Sequence, residues 1–212
     1  MSFTKIAISG TSSESGKTTL MGQLLRELPE WEAIKMTRGH YRSCGKDPHA
    51  CCVSDLLGNE PLVRSGFRET FADDKDTGRY WEAGAANVHW VIVTEDQVER
   101  GIKLALARVQ SPGVLIEGNS FLKYVDVDFS VLVMNTNEKT RIKGSTRWAF
   151  EKASALYCSD TAEETSTLFR LKSKYSSDTG KDEVPVYGPA DFGKLLARVQ
   201  HIHELRTGVI GH

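Results

Sequence analysis

Gly16-Lys17-Thr18 stands between a short apolar run and an amphipathic segment, and that placement constrains the chain more than any other feature. Phe3-Thr-Lys-Ile-Ala-Ile-Ser9 reads as a buried strand. Leu20, Leu24 and Leu28 then fall on one face of a helix that Pro29 ends. A strand that runs through a glycine-containing loop into a helix N-terminus aims backbone N–H groups at phosphate oxygens. In such a loop Lys17 is expected to reach the β- and γ-phosphates and the Thr18 hydroxyl to ligate Mg2+. Ser13, Ser15, Gly16 and Thr19 complete the expected phosphate-binding set. The usual G-x-x-x-x-G-K-[S/T] spacing sets its first glycine one residue after Gly10, at Thr11. Either the loop bulges by one residue, or Thr11 takes the turn.

Further apolar runs cover Trp31 to Met36, Val88 to Val93, Val114 to Ile116 and Phe129 to Met134. Between them Thr94-Glu-Asp-Gln97 has capping-box spacing, ahead of a helix carrying Val98, Ile102, Ala105, Leu106 and Val109 on one face. Continuous apolar strands alternating with amphipathic helices predict an α/β, three-layer P-loop NTPase, its mainly parallel sheet covered by helices on both faces. A single domain is expected over 1–212, with a functional insertion at about 37–78. A helical turn is expected over 80–86, a helix around 148–157 and a loop over 173–182, with Cys158 on a helix and in the protein core. Val184 to Tyr187 reads as a strand at a sheet edge because of Pro185. The last helix starts near Ala190, with Phe192, Leu195, Leu196, Val199 and Ile202 on its core face. His201 and His203, two apart on it, point to different sides and read as polar helix-end residues.

Charge narrows the partners. Lys and Arg number 27 against 28 Asp and Glu, so no global basic field attracts nucleic acid. No apolar run approaches the length that spans a bilayer, and the N-terminus lacks a signal-peptide core. A cytoplasmic protein that uses no membrane is expected.

A phosphate loop of this class needs a carboxylate from a neighbouring strand. Glu117 ends the run Val114-Leu-Ile at the C-terminal end of its strand, where ligands bind in open α/β sheets. Asp73-Asp-Lys-Asp76-Thr-Gly-Arg79 supplies a second candidate in Asp76, with Arg79 as a phosphate contact. Lys17, Asp76 and Glu117 are therefore the candidate catalytic residues.

Three landmarks stand in order: the loop from Ser9 to Leu20, Lys75-Asp-Thr-Gly-Arg-Tyr-Trp-Glu-Ala-Gly-Ala85, and Leu115-Ile-Glu-Gly118. Together they resemble the molybdopterin-guanine dinucleotide biosynthesis protein B family, over roughly residues 4–135. That family belongs to the dimerising P-loop GTPases, whose relatives include nickel-delivering GTPases. The resemblance implies GTP binding, slow hydrolysis, a homodimer, and a role beside the molybdenum-cofactor nucleotidyltransferase. No Asn-Lys-x-Asp guanine-reading motif is present, so GTP and ATP both stay open on the residues alone.

Cys44-Gly-Lys-Asp-Pro-His-Ala-Cys-Cys52 is not part of that family pattern. Cys44, Cys51 and Cys52 with His49 are soft donors suited to Zn2+. They open a rival function, a metallochaperone-type GTPase serving a metalloenzyme. A small-molecule kinase or ligase is a second rival, with the insertion as its lid, and a regulatory or adaptor protein whose nucleotide only fixes a conformation is a third.

Overall fold

The computed structural model describes residues 3–12, 15–39, 53–134, 144–159, 173, 175–177, 179–180 and 184–208. Among the described residues eight strands form one sheet: β1 (Thr4–Gly10), β2 (Glu32–Arg38), β3 (Leu62–Ser65), β4 (Val88–Val93), β5 (Gly113–Glu117), β6 (Phe129–Met134), β7 (Ala155–Cys158) and β8 (Val186–Tyr187). Their order across the sheet is β3-β4-β2-β5-β1-β6-β7-β8. Every pairing is parallel except β3 with β4.

Among the described residues the helices include α1 (Lys17–Glu27), α2 (Phe67–Thr70), α3 (Asp76–Glu82), α4 (Val98–Leu106), α5 (Gly144–Lys152) and α6 (Phe192–Thr207). The period of two along β1 divides the core. Ile6 and Ile8 join Leu20, Leu24, Tyr80, Ala83, Leu195 and Val199 on the α1, α3 and α6 side. Ala7 faces the other layer, with Val98, Ile102, Ala149 and Phe150 from α4 and α5. Each fully buried leucine of α1 contributes about 1.5–3 kcal/mol of transfer free energy, so one apolar stripe holds the helix on the sheet. At the head of α4, Gln97 Oε1 accepts the Thr94 N–H at 3.1 Å, the return half of the expected capping box.

Three expectations are corrected. The segment 148–157 is not one helix: α5 ends at Lys152, and Ala155 to Cys158 form a strand whose four residues are all buried. The Ser154 N–H bonds Ser130 O at 2.8 Å and starts that strand beside β6. A four-residue apolar run carries no period that separates strand from helix, so the sheet decides. The loop expected over 173–182 is helical at 175–177, and Tyr175 is fully buried with its hydroxyl donated to Phe150 O at 2.9 Å. The turn expected over 80–86 is α3, and it begins earlier, at Asp76. Gly78 disguised it as loop. A Cβ there would lie 2.1 Å from Ala72 O, so the glycine serves a close backbone approach inside a helix.

The segment expected as an insertion contains β3, the one antiparallel strand among the described residues, and the short α2. Neither was legible in the sequence. Val186 and Tyr187 do lie at the sheet edge, as Pro185 requires.

Candidate functional site

β1, β2 and β5 end side by side, and α1 begins where β1 stops. Gly10 closes β1, and Asn119 clamps its peptide from both sides. Asn119 Oδ1 accepts the Gly10 N–H at 3.0 Å, and Asn119 Nδ2 donates to Gly10 O at 2.8 Å. The Thr11 N–H bonds Val133 O at 3.2 Å, so the chain stays beside β6 through Thr11 and turns only after it. Gly16 is the N-cap of α1 with φ 90°, in the left-handed region, and a Cβ there would lie 2.6 Å from Ser159 Cβ. Only glycine fits. Lys17 Nζ folds back over the loop, donating to Ser12 O and, at 3.2 Å, to Ser15 Oγ. Ser15 is fully buried, and the buried Ser12 Oγ has no hydrogen-bond partner among the described residues. A helix N-terminus, a lysine and an unsatisfied hydroxyl thus surround one loop, a donor set suited to phosphate. Ser13 lies outside the described residues, and Thr19 is exposed on the first turn of α1.

The two sequence-predicted carboxylates converge on Thr18. Thr18 Oγ1 lies 2.9 Å from Asp76 Oδ1 and 3.2 Å from Glu117 Oε2. Three elements achieve this: Thr18 lies in the first turn of α1, Asp76 is the first residue of α3, and Glu117 is the last of β5. Lys35 was not singled out in the sequence. Its Nζ bridges the outer oxygens of both acids, 2.5 Å from Asp76 Oδ2 and 2.5 Å from Glu117 Oε1. Register explains the meeting, because Lys35 on β2 stands directly opposite Glu117 on β5. The Tyr80 hydroxyl, from the fully buried face of α3, donates to Glu117 Oε2.

The charges follow from these contacts. Burial opposes the Asp76 carboxylate, but Lys35, the Thr18 hydrogen bond and Arg79 outweigh it and hold the group below the usual aspartate range. Burial also opposes the Lys35 ammonium, and Glu117 and Asp76 reverse that and raise its pKa. Tyr80 is pushed well up, first by burial and then by Glu117, so its hydroxyl stays a donor. Glu117, 2% exposed, therefore accepts from three side chains, Thr18, Lys35 and Tyr80. A carboxylate with both oxygens so engaged orients the groups around it.

Arg79 is exposed and lines a small pocket with Thr18, Thr19, Gly22, Arg26 and Glu82. Cys44, His49, Cys51 and Cys52 lie outside the described residues. Among the described residues no three His, Cys, Asp or Glu side chains group as metal ligands. Cys158, expected on a helix, is buried on β7. His201 and His203 do diverge: His203 Nδ1 meets Thr4 Oγ1 at 2.8 Å, while His201 is exposed near Glu204. Tyr80 and Asn119 were missed because each looks like core or turn in sequence. The Glu-Gly-Asn at the end of β5 was the available signal for Asn119.

No family model matches the chain, and no curated protein matches it. Among solved structures, HypB from Helicobacter pylori, in complex with nickel, is 13% identical, with a TM-score of 0.57 over 96% of this chain and 88% of that one. Hydrogenase maturation factor HypB from Archaeoglobus fulgidus is 11% identical, with a TM-score of 0.55 over 95% of this chain and 90% of that one. At such identities the likeness speaks for architecture alone, and with the sheet order it establishes an α/β P-loop NTPase fold.

Proposed function

We propose that this protein binds a nucleoside triphosphate with Mg2+ at the N-terminus of α1 and hydrolyses it slowly. The meeting of Thr18 with Asp76 and Glu117 beside the phosphate loop carries this reading. The hard oxygens of Thr18, Asp76 and Glu117 fit Mg2+, which supplies charge neutralisation on phosphate oxygens when bound. Loop N–H groups, Ser15, Gly16 and Thr19, together with Ser13, orient the phosphates. Lys17 brings a compact positive charge to them. Glu117 fixes the hydroxyl of Thr18, and Asn119 fixes the strand end from which the loop departs. GTP as the nucleotide, a homodimer, and service to molybdenum-cofactor maturation rest on the family resemblance of the three landmarks. Zn2+ on Cys44, His49, Cys51 and Cys52 rests on the soft-donor chemistry of that segment alone.

Calorimetric titration of the parent and of Lys17→Ala with GTP and with ATP tests the reading. Lys17 contributes charge to phosphate and little to the core, so Lys17→Ala is expected to lose about tenfold or more in triphosphate affinity at unchanged thermal stability. Equal affinity of parent and variant for both nucleotides would remove the loop from the mechanism.

A further inference from the structure

The carboxylate pair already holds a cation. Lys35 Nζ lies 2.5 Å from an oxygen of each acid, and its side chain is only 18% exposed. The four carboxylate oxygens are thereby divided: Thr18 meets one from each acid, and Lys35 meets the other from each. Asp76, Glu117 and Lys35 together carry a net charge of −1. Without the ammonium the same pocket would carry two uncompensated negative charges beside a hydroxyl, which is how proteins attract a divalent cation unaided.

We propose that Lys35 is the built-in counter-ion of this pair and that it sets the order of binding, so that a divalent cation is accepted only together with the phosphates. This rests on the nucleotide reading above. Ammonium and metal compete for the same oxygens. A dication arriving alone must either displace Lys35 into water or share the carboxylates with it, and both are unfavourable in a half-buried site. A triphosphate at the α1 N-terminus changes that balance. Its negative charge offers Lys35 a second anionic partner and supplies the metal with further oxygen ligands. Lys35 is in these terms a positioning residue. Its four-carbon stem and single charged head suit exchange between partners better than a rigid guanidinium would. A purely structural lysine, stapling α3 to β2, would leave metal affinity unchanged when removed.

Mn2+ is the probe, because its electron paramagnetic resonance signal reports bound metal without reference to turnover. Parent and Lys35→Met are titrated with Mn2+, each with and without a non-hydrolysable GTP analogue. The parent is expected to bind Mn2+ at least about tenfold more tightly with the analogue than without it. Lys35→Met is expected to bind a single Mn2+ without nucleotide at least about tenfold more tightly than the parent does. Adding Asp76→Asn to Lys35→Met should cancel that gain. Unchanged nucleotide-free affinity in Lys35→Met, with the analogue still binding, would overturn the role of Lys35. If Lys35→Met does not fold, the parent alone decides: tight nucleotide-free uptake of Mn2+ that Asp76→Asn abolishes overturns the proposal, and uptake that requires the analogue supports it. Failure of the parent to bind the analogue at all would overturn the nucleotide reading instead.

Discussion

Glu117 shows how much of the site is fixed by single side chains. Three donors converge on it, and none comes from its own strand. Glu117→Gln keeps the size and removes the charge. The amide can turn an N–H toward Lys35, where donor would face donor, or toward the Thr18 and Tyr80 hydroxyls, which must then accept where they now donate. Hydrolysis in Glu117→Gln is expected to slow by about a hundredfold or more, with nucleotide affinity changed much less. Single-turnover rates beside equilibrium titration check this. A variant that hydrolyses at the parent's rate would reduce Glu117 to a strand-end residue.

Among the elements, α1 depends on its entrance. Gly16 caps it in a left-handed conformation, and Ser159, just beyond β7, closes the space where a side chain would go. Gly16→Ala is expected to destabilise the protein by about 1–2 kcal/mol from the backbone alone, with the Ser159 contact adding to that. Urea unfolding measures the loss. Ser159→Gly added to Gly16→Ala should restore only the contact part, since it leaves the backbone strain in place. An unchanged midpoint in Gly16→Ala would show that the loop has another conformation open to it. α3 makes the complementary contribution. Its first residue is Asp76, an acid at a helix N-terminus, and its buried face carries Tyr80 to Glu117.

Across the whole molecule a second buried network, at the opposite ends of the strands, ties the sheet together. Glu32 starts β2, His89 lies on β4 and Ser65 ends β3. Glu32 Oε2 is 2.6 Å from His89 Nε2, and Glu32 Oε1 accepts the N–H groups of Gln110 at 2.8 Å and Ser111 at 2.9 Å. Ser65 Oγ meets His89 Nδ1 at 2.8 Å and accepts from Arg108 at 3.2 Å. Burial opposes the Glu32 charge. The hydrogen bond from His89 and those from Gln110 and Ser111 outweigh it, so the folded-state pKa lies below the ordinary glutamate value. The sign is then fixed: a lowered carboxylate pKa adds stability above the ordinary glutamate range, and that stability disappears as pH falls through the lower folded value. Asp76, also lowered, acts in the same direction. Thermal unfolding followed from neutral to acid pH should show a falling melting temperature across that window. Glu32→Gln should melt lower at neutral pH and fall less steeply on acidification. An identical slope in parent and variant would remove Glu32 from the linkage. No helix among the described residues is long and apolar enough to cross a membrane.

Local order carried much of this protein. The alternation of apolar runs and amphipathic segments determined the parallel sheet and its two helical layers. The order of strand, Gly16-Lys17-Thr18 and helix determined where the loop between β1 and α1 would lie, because period and spacing are properties of neighbouring residues. Glu117 was legible for the same reason, as an acid at the end of an apolar strand. Tertiary structure decided the rest. Nothing local tells that Lys35 faces Glu117, since that follows from which strands are adjacent and in which register. Tyr80 looks like core until α3 packs it beneath a carboxylate. Glu32 and His89 are 57 residues apart and become partners only when β4 lies beside β2. Cys158 moved from helix to strand because the sheet supplied hydrogen bonds that a four-residue apolar run cannot specify by itself. Charges buried across strands are set by register, and register is a property of the folded sheet.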